Sequence, residues 1–210
     1  MEQRGLAVRL FRTAMPPSLG LLSMNNCHVD NNLRRIQNAV AHAPSTSGIK
    51  IVGIDGPSGS GKSTLAAKLA FLLKAPVIQI DDFVSWNDFS GWWPRLEAQV
   101  LDPLLRGQPA VYQQRDWESD EFGDALGTWA TVDWSPVVII EGVTCTRQAS
   151  IGKIAVTIWV EAPKEERLRR GIERDGKDHR GLWDKWMETE DKFFAWDETP
   201  NRADVIVPGI

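Results

Sequence analysis

Gly56-Pro57-Ser58-Gly59-Ser60-Gly61-Lys62-Ser63-Thr64 decides how this chain is read. The nine residues fill every fixed position of G-x-x-x-x-G-K-[ST], a loop built to hold phosphate. Glycines at 56, 59 and 61 permit backbone conformations that a Cβ forbids, so successive N–H groups can turn inward around an anion. Lys62 brings a cation to the β- and γ-phosphates, and the Ser63 hydroxyl suits Mg2+. The flanks agree. Ile49-Lys50-Ile51-Val52-Gly53-Ile54 is a short β-branched run that reads as a buried parallel strand. Lys62 to Leu73 follows as a helix with Leu65, Leu69, Leu72 and Leu73 on one face. Its N-terminal end adds positive potential to the same site.

Outward from the loop, four more apolar runs read as strands: Ala75–Ile80, Pro136–Ile140, Ile154–Val160 and Ala203–Val207. Helices are expected over Asp30–Ala43, Arg95–Leu101, Pro163–Asp175 and Leu182–Trp196, with a new short turn opened by Asp102-Pro103. Residues 111–130 are polar and irregular, a short hairpin plus a helix. Strands alternating with helices predict an α/β fold: a P-loop NTPase with a five-stranded parallel sheet and helices on both faces. Residues 1–45 read as an N-terminal extension and helix, partly flexible. Over 1–28, scattered arginines and Pro16-Pro17 suggest a loosely held stretch, with Met15 or Met24 as a working start. Residues 46–210 are expected to form the P-loop domain.

The 210 residues carry 24 Lys+Arg against 28 Asp+Glu, a net charge of −4, so a general polyanion binder is not indicated and any phosphate site needs local positive charge. Neither a nucleic acid nor a membrane partner is expected. Cys27 and Cys145 offer no metal spacing and no disulfide framework, which fits a reducing cytoplasm.

In a doubly wound sheet, ligands gather at the carboxyl ends of the strands. Strand ends at Asp81-Asp82 and at Glu141 should therefore converge on the loop. One acid can serve a metal and another can take a proton from an acceptor hydroxyl. Asp82 could equally cap a turn. Arg167, Arg169, Arg170 and Arg174 crowd one predicted helix. Arg170 and Arg174 share a face suited to transferring phosphate oxygens, although Glu166–Arg170 pairing would also explain the spacing. Trp86, Trp92 and Trp93 follow the proposed base, and either stack a flat acceptor or simply pack.

These pieces, together with Tyr112-Gln113-Gln114-Arg115-Asp116-Trp117, Val138-Ile139-Ile140-Glu141-Gly142 and Ala203-Asp204-Val205-Ile206-Val207-Pro208-Gly209, resemble the uridine kinase group of P-loop small-molecule kinases, which includes phosphoribulokinase and bacterial pantothenate kinase. The likeness runs from about residue 49 to the C-terminus. It implies a transferase that moves phosphate from ATP with Mg2+ to a hydroxyl of a small metabolite, first the 5′-hydroxyl of uridine or cytidine. Residue by residue, Gly56, Ser58, Gly59, Ser60, Gly61, Lys62, Ser63 and Thr64 bind the nucleotide. Ser63 and Glu141 serve the metal. Asp81, Lys62, Arg170 and Arg174 are catalytic, the two arginines from a lid over about 163–182. Asp81, Asp116, Arg115 and Trp86 face the acceptor. Val84 and Arg115 replace tyrosines that such kinases usually carry. Arg115 therefore keeps open an anionic acceptor: pantothenate, a sugar phosphate or a nucleoside monophosphate. A nucleotide-gated regulatory module is the alternative of a different class. Oligomerisation is left open.

Overall fold

The computed structural model describes residues 25–120 and 122–209. The expected extension before residue 25 lies outside the described residues. Five strands, β1 (Lys50–Asp55), β2 (Val77–Gln79), β5 (Val137–Glu141), β6 (Val156–Glu161) and β7 (Val205–Pro208), form one sheet in the order β2-β5-β1-β6-β7. All four pairings are parallel, with Ile54 opposite Glu141 and Gln79 also opposite Glu141. β3 (Ala110–Arg115) and β4 (Leu126–Val132) form a separate antiparallel hairpin. Residues 111–130 thus contain the expected hairpin, but no helix among the described residues.

Side-chain alternation on the central strands builds two cores. Ile51, Val138 and Ile140 face one layer with Ile78 and Leu96; Val52, Ile139 and Ile158 face the other with Leu65 and Leu69. Burying one such aliphatic side chain contributes about 1.5–3 kcal/mol, so the sheet's two-sided apolar character fixes its central position. The second layer is closed by α1 (Asn25–His42), through Leu33, Ile36 and Val40, and by α2 (Lys62–Leu73). Leu72 departs from the predicted buried face of α2 and is exposed.

Over 93–105 the chain differs from the expected break at Asp102. α3 (Trp93–Leu96), a π-helical turn (Glu97–Leu101) and α4 (Asp102–Leu105) run on without interruption. Asp102 is helical, and its N–H donates to the Glu97 carbonyl five residues back. Pro103 has no N–H to give and needs room beside the preceding turn; a widened turn answers both demands. α5 (Lys164–Asp175) and α6 (Arg180–Asp197) complete the fold. They pack so closely that a Cβ on Gly171 would lie 2.4 Å from the Trp183 ring.

Candidate active site

At two points of the loop between β1 and α2, neighbouring backbone leaves room only for glycine. Gly56 has φ +141° and a Cβ there would sit 2.1 Å from the Val160 carbonyl oxygen. Gly59 has φ +76°, and its Cβ would meet the Arg167 carbonyl oxygen at 2.6 Å. Close approach of β6 and α5 therefore moulds the loop from behind. Lys62 is buried, and its Nζ donates to the Pro57 carbonyl across the loop at 3.1 Å. Ser63 and Thr64 are exposed on the first turn of α2. The buried Ser60 Oγ has no hydrogen-bond partner among the described residues, a polar atom that a bound anion would satisfy.

Two strand ends supply acids beside this loop. Glu141 closes β5, is buried, and accepts a hydrogen bond from the Ser63 hydroxyl. Asp81 lies in the 3-10 turn that follows β2. Burial and the neighbouring Glu141 charge push its carboxyl well above the usual aspartate range, against the pull of Lys62 and Arg174. Burial likewise raises Glu141, with Lys62 opposing. Two carboxylates, a hydroxyl and an ammonium group therefore share one electrostatic neighbourhood. Oxygen donors of this kind suit Mg2+, and the glycine cradle with Lys62 suits a polyphosphate.

From α5, Arg170 ion-pairs with Glu166 at 2.8 Å and donates to the Gly59 carbonyl at 3.3 Å. Arg174 holds Asp175 through two bonds of 2.9 and 3.1 Å, and its charge is felt at Asp81. Arg169 is a solvated partner of Glu166 and Glu173, whereas Arg167 is buried.

The acceptor-side residues divide less simply. Asp82 accepts from Tyr112 at 3.2 Å and from Gln114 at 3.1 Å, tying β2's end to the hairpin. The Trp117 indole donates to the Asp81 carbonyl at 2.9 Å, so the hairpin reaches the proposed base. Asp116 accepts the N–H groups of Glu118 and Ser119 at 3.1 Å each and organises the hairpin turn. Arg115, expected on the acceptor side, lies against the hairpin turn. Its guanidinium is buried, donates to the Asp116 and Asp120 carbonyls, and lies 4.1 Å over the Trp117 ring. Trp86 meets Trp186 edge-on at 5.1 Å. Trp92 and Trp93 are buried, with Arg147 4.3 Å over Trp92, so these two pack rather than stack an incoming ring.

Several structural partners of the site were not assigned from sequence. Asp55 accepts from the N–H groups of Gly56, Thr144 and Thr146 and from the Thr146 hydroxyl, clamping β1 to the segment after β5. Arg147 donates to the Thr144 carbonyl and hydroxyl and to the Ser90 carbonyl. These bonds hold Thr144 at φ +65°, unusual for a β-branched residue. Glu190, on α6, is fully buried against the loop. The acid directly before Gly56 was the one signal available for Asp55; burial of the others is invisible in one dimension.

Compared with known proteins, residues 52–192 match the family model described as an AAA domain. The chain belongs to this AAA domain family. The AAA domain chain is also 26% identical over 180 residues to a uridine kinase of Borreliella burgdorferi, covering 76% of this chain and 86% of that protein. A uridine kinase of Borrelia garinii is 25% identical over the same shares. Its fold is similar to that of a chain described as a possible uridine kinase from Bacillus stearothermophilus, with a TM-score of 0.62 and 23% identity over 88% of this chain and 99% of that one. These relatives confirm the P-loop fold and the resemblance to uridine kinases. No helix of the described residues is long and apolar enough to cross a membrane.

Proposed function

We propose that this protein is an ATP-dependent kinase that phosphorylates a hydroxyl of a small, uncharged metabolite, with the 5′-hydroxyl of uridine or cytidine as the first candidate. One observation carries the reading: Lys62, the Ser63–Glu141 pair and Asp81 meet at adjoining strand ends, with Arg174 close enough to act on Asp81. The loop amides and Lys62 hold the triphosphate. Ser63 and Glu141 would hold Mg2+, which when bound offsets charge between the phosphates. Asp81, whose affinity for a proton is raised by burial and by Glu141, aligns the acceptor hydroxyl and takes its proton. Asp82 is already committed to Tyr112 and Gln114, which favours Asp81 over Asp82 for this work. Arg170 and Arg174, on a lid over about 163–182, stabilise charge on the transferring group and exclude water. The similarity to uridine kinases and the hairpin beside Asp81, with Asp116 at its turn, support a nucleoside.

An uncharged acceptor is favoured because the cations on that flank are already engaged. Arg95 donates to the Gln113 and Asp82 carbonyls at 2.6 and 2.8 Å, and Arg115 is held under its turn. The test is ADP release with Mg-ATP across nucleosides, pantothenate, sugar phosphates and nucleoside monophosphates, with mass detection of product. Phosphorylated uridine or cytidine, lost with Lys62→Ala, is the expected result. Product only from an anionic acceptor overturns the substrate class, and ATP binding without transfer to any acceptor favours a regulatory module.

A further inference from the structure

Behind the phosphate loop lies a buried polar node outside the mechanism above. Glu190 is 0% exposed, and both its oxygens are used. Oε1 accepts the Ser58 backbone N–H at 2.8 Å and the Trp186 indole N–H at 2.8 Å. Oε2 accepts from Arg167 Nη1 at 3.3 Å. The Trp186 indole also bonds the Ser58 hydroxyl at 2.9 Å, and its ring meets Phe89 at 4.9 Å. A buried ion pair is weak support for stability, since apolar residues of similar volume often serve as well. This carboxylate, however, spends an oxygen on an amide of the phosphate loop.

We propose that Glu190 and Trp186 are positioning residues of the nucleotide site. They fix the Ser58 peptide, and with it the direction of the loop amides that follow, while Arg167 neutralises the buried carboxylate. The proposal rests on the reading of residues 56–64 as a nucleotide site. Trp186 also joins the loop to the segment holding Trp86 and Phe89, so α5, α6 and the acceptor side bear on one peptide.

The experiment measures Mg-ADP binding by calorimetry and melting temperature without nucleotide, for the full chain and three variants. Trp186→Phe keeps an aromatic ring but removes the N–H donor and part of the indole's packing; its dissociation constant for Mg-ADP should rise about three- to tenfold, with a melting temperature somewhat below the parent's. Glu190→Gln should weaken binding by tenfold or more. Arg167→Met/Glu190→Met replaces the ion pair with apolar packing. Because it also leaves the Ser58 N–H without its acceptor, it should melt somewhat below the parent temperature and, in the folded protein, bind Mg-ADP weakly, a loss of affinity that a purely structural role does not predict. Parent-like affinity in the double variant, or in Trp186→Phe should the double variant not fold, overturns the proposal alone. Failure of the parent to bind Mg-ADP overturns the site reading and the proposal together.

Discussion

At the scale of single residues, two adjacent aspartates do different work because their neighbours differ. Asp81 sits with Glu141 and Lys62, whereas Asp82 is bonded to the hairpin. Asp81→Asn should lower turnover about 10²- to 10⁴-fold, the usual worth of a positioned base. Mg-ATP affinity, measured by calorimetry, should stay within about twofold. Unchanged turnover would remove Asp81 from the mechanism. Asp82 makes a different prediction. Burial raises its carboxyl above the ordinary 3.8, against the hydrogen bonds from Gln114 and Tyr112. A carboxyl with a raised value in the folded state favours folding when protonated. Its contribution is complete below about 3.8 and is lost as pH rises through the folded value. Asp82→Asn cannot ionise, so it should gain on the parent protein as pH climbs through that window. Melting temperatures of both proteins between pH 3 and 7 test this, and a constant difference would refute it.

Among the elements, those legible in the sequence were defined by repetition. β1, β5 and β6 are β-branched runs, and α2 and α5 carry a regular pattern between clear boundaries. The continuous helix through Pro103 was not legible, because proline argues locally for a break and only the π turn reconciles it with a helix. Glu190 and Arg147 were not legible either, since a lone charged residue reads as solvated until packing buries it. Gly171 shows how far element packing reaches. Alanine there would gain up to about 1 kcal/mol of helix propensity, while crowding a packed site costs typically about 1–3 kcal/mol. The second effect should win, because the displaced group is the fully buried Trp183. The Trp183 indole bonds Asp175 at 2.9 Å, and Asp175 holds Arg174. Gly171→Ala should therefore lower denaturant stability by about 1–3 kcal/mol and also reduce turnover of the folded fraction. A loss of stability with turnover intact would separate Arg174 from this chain of contacts.

Across the whole molecule, charge is sorted by the fold rather than by composition. The sheet gathers its acids and Lys62 at one end, the P-loop moulds itself against β6 and α5, and α5 brings Arg170 and Arg174 over that end. The hairpin closes the remaining side, and its internal cation, Arg115, is consumed in holding the turn. The distinction between a cation that recognises an acceptor and one that builds the wall around it can be measured. Arg115→Ala strands two carbonyls and removes a cation–π contact, so stability should fall by about 1–3 kcal/mol. In the folded fraction, the KM for an uncharged acceptor should stay within about twofold. An Arg115 that bound an anionic acceptor would give the reverse: KM rising steeply for that acceptor with stability little changed. Because the two outcomes move different observables, denaturant melts and acceptor KM measured on one variant decide whether this flank of the molecule is a wall or a recognition surface.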